Sequence, residues 1–398
     1  MTAHPPLRIG YLVPEFPSQT HAFFWREAMA LEEQGLAIRF LTTRRPRHAT
    51  SRHAFTAAAE ARTAALVPPS PRALARLAGP RLGGALRYLA GLHESPPAAR
   101  AAALRLLPAA AELARIARDE GLAHVHVHSF ANAAHVAALA RLLGGPSYSL
   151  TLHGDLPVYG RDHGAKLRHA VFATAVTRPL AAALAQAVPG LQAPVIAMGA
   201  DTARFTPAPS AAPAPPLRIV TVARLQQAKG HVHLLRAMAA LAREGVATAA
   251  IFIGEGPDRA LIEGEIAALG LGAQVRLAGA LGEEAVLEEL RAAHVLALTS
   301  FGPGEAAPVA VMEAMACGLA VVVSRIGGTA DMIDDGRDGL LVPQRDEAAI
   351  AAALGRLAGD AALRARLGRA ARARAVASFD HRTAAAALGR LIRRHAGG

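Results

Sequence analysis

The chain has 398 residues, of which 52% are hydrophobic and 19% charged, and its formal net charge is +12. This length and apolar content suit two or three domains with substantial cores and exclude a fibrous or intrinsically disordered class. A single cysteine, Cys317, excludes a framework of internal disulfides. No apolar stretch approaches the ~20 residues that span a bilayer, and the first residues lack a signal-peptide pattern, so we expect a cytoplasmic protein.

The positive charge is concentrated in the first half of the chain. Residues 1–200 hold 21 Lys and Arg against 11 Asp and Glu, whereas the remainder holds 22 against 20. This asymmetry indicates a polyanionic partner. Because aromatic residues make up only 4% and no nucleic-acid motif is present, an anionic membrane surface is favoured over nucleic acid. An arginine excess that reflects genome composition, with no partner, is the alternative.

Short apolar runs alternate with longer amphipathic helical patterns, which predicts βαβ units and parallel sheets. The strands predicted in the first half are 7–13, 36–42, 63–67, 122–128, 148–152 and 171–176, with helices over 19–34, 70–92, 98–119, 131–143 and 178–187. The strands predicted in the second half are 217–222, 249–253, 275–277, 295–298, 320–323 and 340–342. The last helices are predicted over 346–357, 360–377 and 381–395.

A proline-rich stretch divides the two series of elements. Residues 205–216 contain five prolines among small residues, so they predict a linker without regular structure. We therefore predict an N-terminal Rossmann-like domain over 1–204 and a C-terminal Rossmann-like domain over 217–379. The final helix, 380–398, is expected to pack back on the N-terminal domain.

The segment 302–342 contains the most informative motif. Glu305 lies on a Gly/Pro loop after an apolar strand, and Pro308 opens a helix whose second turn contains Glu313. Free amides in the first turn of a helix, together with the helix dipole, suit an anion or sugar oxygens. Two carboxylates eight residues apart therefore flank one polar helix end. A helix start with solvated acidic side chains is the alternative.

A second motif follows the predicted strand 217–222. Arg224 and Lys229 bracket a loop at a helix N-terminus, where two cations and free amides can neutralise a diphosphate. Lys166 and Lys229 are the only lysines of the chain, so a lysine at this position runs against the local coding bias. A solvated basic loop is the alternative for Arg224 and Lys229.

A glycine motif follows the next predicted strand. It contains Gly254 and Gly256, but Arg259 occupies the third glycine position of a dinucleotide fingerprint, so the match to that fingerprint is weak.

Together these motifs resemble those of retaining glycosyltransferases of the GT-B fold, in the large family 4 or group 1 type. That family includes bacterial transferases of exopolysaccharide biosynthesis, of the colanic-acid type. The resemblance implies an α/β fold with two doubly wound Rossmann-like domains that face each other across a cleft. It also implies that residues 1–204 serve the acceptor and residues 217–379 bind the nucleotide sugar.

The resemblance implies a hexosyltransferase of the EC 2.4 class. It would move a sugar from a nucleoside diphosphate sugar, a UDP- or GDP-sugar, to a polysaccharide or lipid-linked acceptor with retention at the anomeric carbon. Arg224 and Lys229 would hold the diphosphate, Glu305 the donor sugar and Glu313 the ribose. The full set of implied donor contacts is Arg224, Lys229, Gly254, Gly256, Glu305, Ala306, Ala307, Pro308 and Glu313.

Histidines of the first half add a further candidate. His153 follows the predicted strand 148–152 and matches a histidine that approaches the donor sugar in the resembling family, so it joins Glu305, Arg224 and Lys229 as a candidate catalytic residue. His124, His126 and His128 alternate along one strand and share a face. This spacing suits zinc, but the favoured interpretation is that His128, nearest the carboxyl end of the strand, lines the cleft while the other two pack or bond internally.

No metal ion and no cofactor besides the donor are expected. The chain lacks an Asp-x-Asp pair, and fixed cations can stabilise a diphosphate leaving group in place of a metal. The cluster Arg44, Arg45, Arg47, His48, Arg52 and His53 is expected to touch anionic lipid or acceptor phosphate on the inner face of the membrane, and a solvated loop is the alternative. The alternative function is a non-catalytic polyanion- or nucleotide-binding protein of the same fold.

Overall fold

The computed structural model describes residues 6–44, 51–209 and 215–396. Within these ranges the chain forms two α/β units. Of the described residues, 6–44, 51, 55–197 and 382–396 belong to the first unit, and 52–54, 198–209 and 215–381 belong to the second. Each unit contains a six-stranded parallel sheet with flanking helices, which confirms the expected pair of doubly wound sheets.

The sheet of the first unit has the strand order β3-β2-β1-β4-β5-β6. Its strands are β1 (Leu7–Leu12), β2 (Leu36–Thr42), β3 (Thr63–Ala65), β4 (His124–Val127), β5 (Ser147–Leu152) and β6 (Phe172–Ala175). All predicted strands are present, with ends that shift by at most two residues. Because β1 pairs with both β2 and β4, the direction of winding reverses between β1 and β4.

Two of the long helices predicted in the first unit are wrong as continuous elements. Residues 70–92 form α3 and α4 with a break at Gly79, whose backbone is extended because Pro80 follows it. Residues 98–119 form α5 and α6, separated by a short 3₁₀ turn before Pro108. The helices are α1 (Ala22–Glu33), α2 (Thr56–Arg62), α3 (Pro71–Ala75), α4 (Leu82–Ala90), α5 (Pro97–Ala103), α6 (Leu107–Asp119), α7 (Asn132–Leu142), α8 (His163–Leu167) and α9 (Arg178–Ala187).

The sheet of the second unit has the strand order β12-β11-β10-β7-β8-β9. Its strands are β7 (Leu217–Val222), β8 (Thr248–Ile253), β9 (Val275–Gly279), β10 (Val295–Leu298), β11 (Ala320–Ser324) and β12 (Leu340–Val342). Its helices are α10 (His231–Arg243), α11 (Arg259–Ala268), α12 (Glu283–Ala292), α13 (Val309–Ala316), α14 (Thr329–Met332), α15 (Glu347–Gly359) and α16 (Ala361–Ser378). Runs of Val, Ile, Leu and Ala suit these strands because helices cover both sheet faces.

The last helix, α17 (His381–His395), belongs to the first unit from Arg382 onwards. It contributes Ala385, Leu388 and Ile392 to a buried cluster that also contains Ile9 of β1 and Phe24 of α1. The domain limits predicted at 204, 217 and 379 stay predictions, and residues 210–214 of the predicted linker lie outside the described residues. Among the described residues, no helix has both the length and the apolarity needed to cross a membrane.

Lys166 of α8 is buried in the first unit, with 1% of its surface exposed. Its ammonium group donates a hydrogen bond to the carbonyl of Tyr159 at 2.9 Å. Burial lowers the pKa of Lys166 to about 8, against the opposing effect of Asp162 and Glu94. One of the two lysines of the chain is therefore part of the core of the fold.

Lys166→Met should change how stability depends on pH. The unfolded chain keeps the Lys166 proton up to a pKa of about 10.4, whereas the folded chain loses it near pH 8. The buried ammonium of Lys166 therefore destabilises the folded chain. This cost is complete below the folded pKa and disappears as the pH rises to the unfolded pKa. Between about pH 8 and pH 10 the wild type should gain up to ~1.4 kcal/mol per pH unit over the variant.

Urea unfolding of the wild type and Lys166→Met at about pH 7.5, 8.5 and 9.5 measures this difference. A difference in the free energy of unfolding that stays constant across the series would contradict the buried, proton-releasing lysine.

Candidate functional site

The candidate donor residues lie at the carboxyl ends of β7 and β10. These strands are neighbours, and the winding of the sheet reverses between them, which is where ligands bind in doubly wound sheets. The loop after β7 leads into α10, and the loop after β10 leads into α13. The amide of Phe301 donates to the carbonyl of Ala228 at 2.8 Å, so the two loops are joined through their backbones.

Gly230 fixes the distance between these two loops. Its φ is +72°, and a Cβ atom at this position would lie 1.9 Å from the carbonyl oxygen of Thr299. The hydroxyl of Thr299 donates to the carbonyl of Gly230 at 2.9 Å. Only glycine allows both this backbone conformation and this close approach.

The structure brings Lys229 and Glu305 into contact across the two loops. The Nζ atom of Lys229 lies 2.6 Å from Oε2 of Glu305, and the hydroxyl of Ser300 donates to the same oxygen at 2.9 Å. The side chains of Lys229 and Glu305 are 19% and 12% exposed. A partly buried cation and a partly buried carboxylate therefore meet at the point where the sheet reverses its winding.

Arg224 lies at the beginning of the same loop and is exposed. The carbonyl of Arg224 accepts a hydrogen bond from the amide of Gln226 at 2.8 Å. Its guanidinium group is thus presented on a turn directly after β7. The contact between Lys229 and Glu305 does not include it.

Gly254 and Gly256 pack against the backbone that carries Arg224. A Cβ atom on Gly254 would lie 2.0 Å from the carbonyl of Ala223, and one on Gly256 would lie 2.2 Å from the carbonyl of Leu225. The amide of Leu225 also donates to the carbonyl of Glu255 at 3.0 Å. These glycines support the basic loop, and their predicted place in the nucleotide pocket stays a prediction.

The backbone around Glu305 is held by a third loop, which follows β11. The amide of Gly328 donates to the carbonyl of Ala306 at 2.7 Å, and a Cβ atom on Gly327 would lie 1.8 Å from the carbonyl of Glu305. Ala306 and Ala307 are buried. Pro308 caps α13 with ψ of 113°, so the helix begins one residue later than predicted, at Val309.

Glu313 lies on α13 and is 7% exposed. Burial, together with the charge of Glu313, raises the pKa of the Cys317 thiol to about 12. Cys317 is buried one turn further along the chain, so it is a protonated filler of the core. The predicted contact of Glu313 with a ribose stays a prediction.

His153 is part of the first unit, where it follows β5. Its Nε2 atom lies 3.0 Å from Nδ1 of His128, which follows β4. The rings of Phe23 and Phe24 lie 5.8 Å and 5.4 Å from the His153 ring, between centroids. Burial, with a smaller effect of His21, lowers the pKa of His153 to about 3. The ring is therefore neutral near pH 7, with one donating and one accepting nitrogen.

The other strand histidines form a ladder with hydroxyl groups of β5. His124 bonds Ser147 and Ser149, and His126 bonds Ser149 and Thr151, at 2.7–2.8 Å. Among the described residues, no group of three or more His, Cys, Asp or Glu side chains could hold a metal ion. The shared face of the predicted strand is thus occupied by internal hydrogen bonds.

Two residues of this region were not predicted from the sequence. Glu27 of α1 accepts a hydrogen bond from the hydroxyl of Tyr11 of β1 at 2.7 Å and lies 3.4 Å from Nε2 of His128. The only sequence signal is an acidic residue beside Arg26 within the apolar pattern of α1.

In the predicted basic cluster, Arg44 is exposed and lies 3.9 Å from Glu15, whereas Arg45, Arg47 and His48 lie outside the described residues.

Two doubly wound six-stranded sheets in one chain are the architecture of the GT-B fold. The chain superimposes on Anabaena Alr3699/HepE, solved in complex with UDP and glucose, with a TM-score of 0.74 over 98% of this chain and 100% of that chain, at 17% identity. Residues 204–374 match the family described as Glycosyl transferases group 1. This part of the chain therefore matches a glycosyltransferase group 1 domain, as the sequence motifs predict.

Two curated relatives are also named as glycosyltransferases. The chain is 37% identical over 158 residues to the putative colanic acid biosynthesis glycosyltransferase WcaL of Escherichia coli, which covers 39% of each chain. It is 33% identical over 215 residues to the amylovoran biosynthesis glycosyltransferase AmsK of Erwinia amylovora, which covers 53% of each. The matches thus span about half or less of the length of these relatives.

Gly230→Ala should cost more stability than an alanine at an open glycine with the same backbone conformation. Gly270 provides the control, because its φ is +70° and a Cβ atom there would meet nothing within 4 Å. We expect Gly270→Ala to cost about 1–2 kcal/mol from the left-handed backbone alone. Gly230→Ala should cost at least ~2 kcal/mol more, because the loops must separate.

Equilibrium urea unfolding of both variants measures these costs. Equal losses would show that the close approach of Gly230 to Thr299 does not hold the loops together.

Proposed function

We propose that the protein transfers a sugar from a nucleoside diphosphate sugar to a polysaccharide or lipid-linked acceptor. The single observation that carries this proposal is the contact of Lys229 with Glu305 at the reversal of the sheet. A nucleoside diphosphate sugar presents a dianionic diphosphate beside a hydroxyl-rich ring. A cation and a carboxylate side by side match these two parts.

In the proposed mechanism, the donor diphosphate replaces Glu305 as the partner of Lys229. The ammonium of Lys229 and the guanidinium of Arg224 then stabilise the charge that develops on the leaving diphosphate. Glu305, released from Lys229, accepts hydrogen bonds from hydroxyls of the donor sugar. Glu313 is proposed to bind the ribose, and amides near Ala306, Ala307 and Pro308 to face the donor.

Retention at the anomeric carbon and the role of His153 belong to the same proposal. The acceptor hydroxyl attacks on the side of the leaving group, and a donor phosphate oxygen takes its proton. His153 orients a sugar hydroxyl, for which a neutral ring with one accepting nitrogen is suited. The family motifs support this part of the proposal.

The acceptor is proposed from the relatives and from charge. WcaL and AmsK are named for colanic acid and amylovoran biosynthesis, and a similar acceptor here would be a growing glycan, free or linked to a lipid. The excess of positive charge in residues 1–200 favours contact with an anionic membrane surface. A cytoplasmic location at the inner face of the membrane is part of this proposal.

Lys229→Ala and Glu305→Gln should separate the two halves of the proposed site. Lys229→Ala should weaken the binding of UDP or GDP, because a cation facing the diphosphate is lost. Glu305→Gln should bind the free nucleotide no more weakly than the wild type, because the nucleotide carries no sugar and Lys229 is released. Both variants should lower turnover by about 10²–10³.

Thermal shift with UDP, GDP and their sugars, followed by transfer assays with the donor that binds, measures these effects. Arg236→Ala and Glu265→Gln are the controls, because they remove the same charges from an exposed pair of the same unit. Near wild-type turnover in both site variants would refute the assignment. Nucleotide binding without transfer would instead favour a non-catalytic nucleotide-binding protein.

Transfer is expected to proceed without a divalent metal ion. In the proposed mechanism Lys229 and Arg224 supply the positive charge that a metal would otherwise place on the diphosphate. Initial rates should therefore be unchanged within about twofold after dialysis against EDTA. Loss of activity with EDTA that manganese or magnesium restores would contradict this expectation.

A further inference from the structure

A chain of four polar side chains leads from the core of the first unit to His153. The hydroxyl of Tyr11 donates to Oε1 of Glu27 at 2.7 Å, and the same oxygen lies 3.4 Å from Nε2 of His128. The other ring nitrogen of His128, Nδ1, lies 3.0 Å from Nε2 of His153. Tyr11 and His128 are buried, with at most 4% of their surface exposed.

We propose that Glu27 is a positioning residue that acts through His128 and determines which ring nitrogen of His153 carries the proton. With Glu27 ionised, the proton of His128 lies on Nε2, toward the carboxylate. Nδ1 of His128 then accepts a hydrogen bond from Nε2–H of His153, which makes Nδ1 the accepting nitrogen of His153. This inference rests on the proposed function, in which that nitrogen faces a sugar hydroxyl.

Protonation of Glu27 reverses the direction of the two polar contacts of His128, with Glu27 and with His153, while the hydroxyl of Tyr11 still donates to Oε1 of Glu27. One proton from solvent enters at Nδ1 of His153, the Nε2 proton of His153 passes to Nδ1 of His128, and the Nε2 proton of His128 passes to Glu27. Two N–H bonds break while two N–H bonds and one O–H bond form, and both rings stay neutral. His153 then presents a donor at Nδ1 instead of an acceptor.

The surroundings favour the carboxylate over either ring as the place of the added proton. Burial lowers the pKa of His128 well below its ordinary value, and the neighbouring His126, His153 and His21 lower it further. Burial raises the pKa of Glu27 to about 7, and the hydrogen bond from Tyr11 opposes this rise. An imidazolium in this environment costs more than a neutral carboxylic acid.

Nitrogen NMR of the full chain, labelled with ¹⁵N-histidine, reads the tautomer of His153 directly, and His153→Asn assigns its signals. In the wild type, we expect a single step with a midpoint near pH 7. Across this step, His153 should change from the Nε2-protonated to the Nδ1-protonated neutral ring as the pH falls. Glu27→Gln should lack the step, because its amide does not titrate.

Glu33→Gln is the matched control, since Glu33 lies on the same helix with its side chain 58% exposed in a pair with Arg382. This variant should keep the step. Absence of the step in the wild type, or its persistence in Glu27→Gln, would overturn the proposal.

Tyr11→Phe provides a second variant that keeps the ring and removes only the hydrogen bond to Glu27. Because that hydrogen bond favours the ionised carboxylate, its loss should move the midpoint of the step to higher pH. This variant decides the question if Glu27→Gln does not fold, as judged by circular dichroism. An unchanged midpoint in Tyr11→Phe would refute the role of Glu27.

Turnover provides the functional measurement. Glu27→Gln should lower kcat by about tenfold, in the range of losses from groups that orient a functional histidine, with the KM for the donor unchanged. Glu33→Gln should leave both constants unchanged. If the step is present but the wild type transfers no sugar, the proposed function fails and the control of the tautomer stands. If transfer occurs without the step, the inference alone fails.

Discussion

The ion pair of Lys229 with Glu305 is the interaction on which the candidate donor site depends. Its 2.6 Å contact joins loops from two neighbouring strands, and each loop is held by backbone hydrogen bonds to another part of the chain. Both side chains are partly buried. Removal of either one therefore destabilises the site, because it leaves the other charge poorly hydrated and without its partner. The proposed donor would replace Glu305 as the partner of Lys229 and would offer its sugar hydroxyls to the carboxylate, so that neither charge is left without a partner.

Lysine usage shows both the value and the limit of a composition signal. Against a background of arginine, Lys166 and Lys229 both stand out in the sequence. In the structure Lys229 contacts Glu305 at the sheet reversal, whereas Lys166 donates to the carbonyl of Tyr159 inside the first unit. A compact ammonium suits both places, because it presents a point charge with rotatable donors to a single oxygen atom. Rarity therefore marks a constrained side chain and does not by itself mark a ligand contact.

The sequence predicted the strands well because buried parallel strands read as short apolar runs between helical patterns. Residues 36–42, 217–222, 295–298 and 340–342 form strands with the predicted limits. The long helices of residues 70–119 were less predictable, since a local backbone preference at Pro80 and Pro108 competes with a continuous apolar pattern. The joining of the loops after β7 and β10 could not be read from periodicity, because it depends on the strand order.

The histidine cluster of the first unit shows why some functional candidates escape sequence reasoning. Glu27 and His128 are about a hundred positions apart, and no sequence pattern connects the two. They meet because β1 and β4 are neighbours in the sheet and α1 follows β1 directly. Parallel strands bring the residues after their carboxyl ends to one edge, so His128 and His153 are also side by side there. In the proposed relay, the partly buried carboxylate of Glu27 beside two neutral rings is the place for one added proton, and the position of that proton sets the hydrogen bond that His153 can offer.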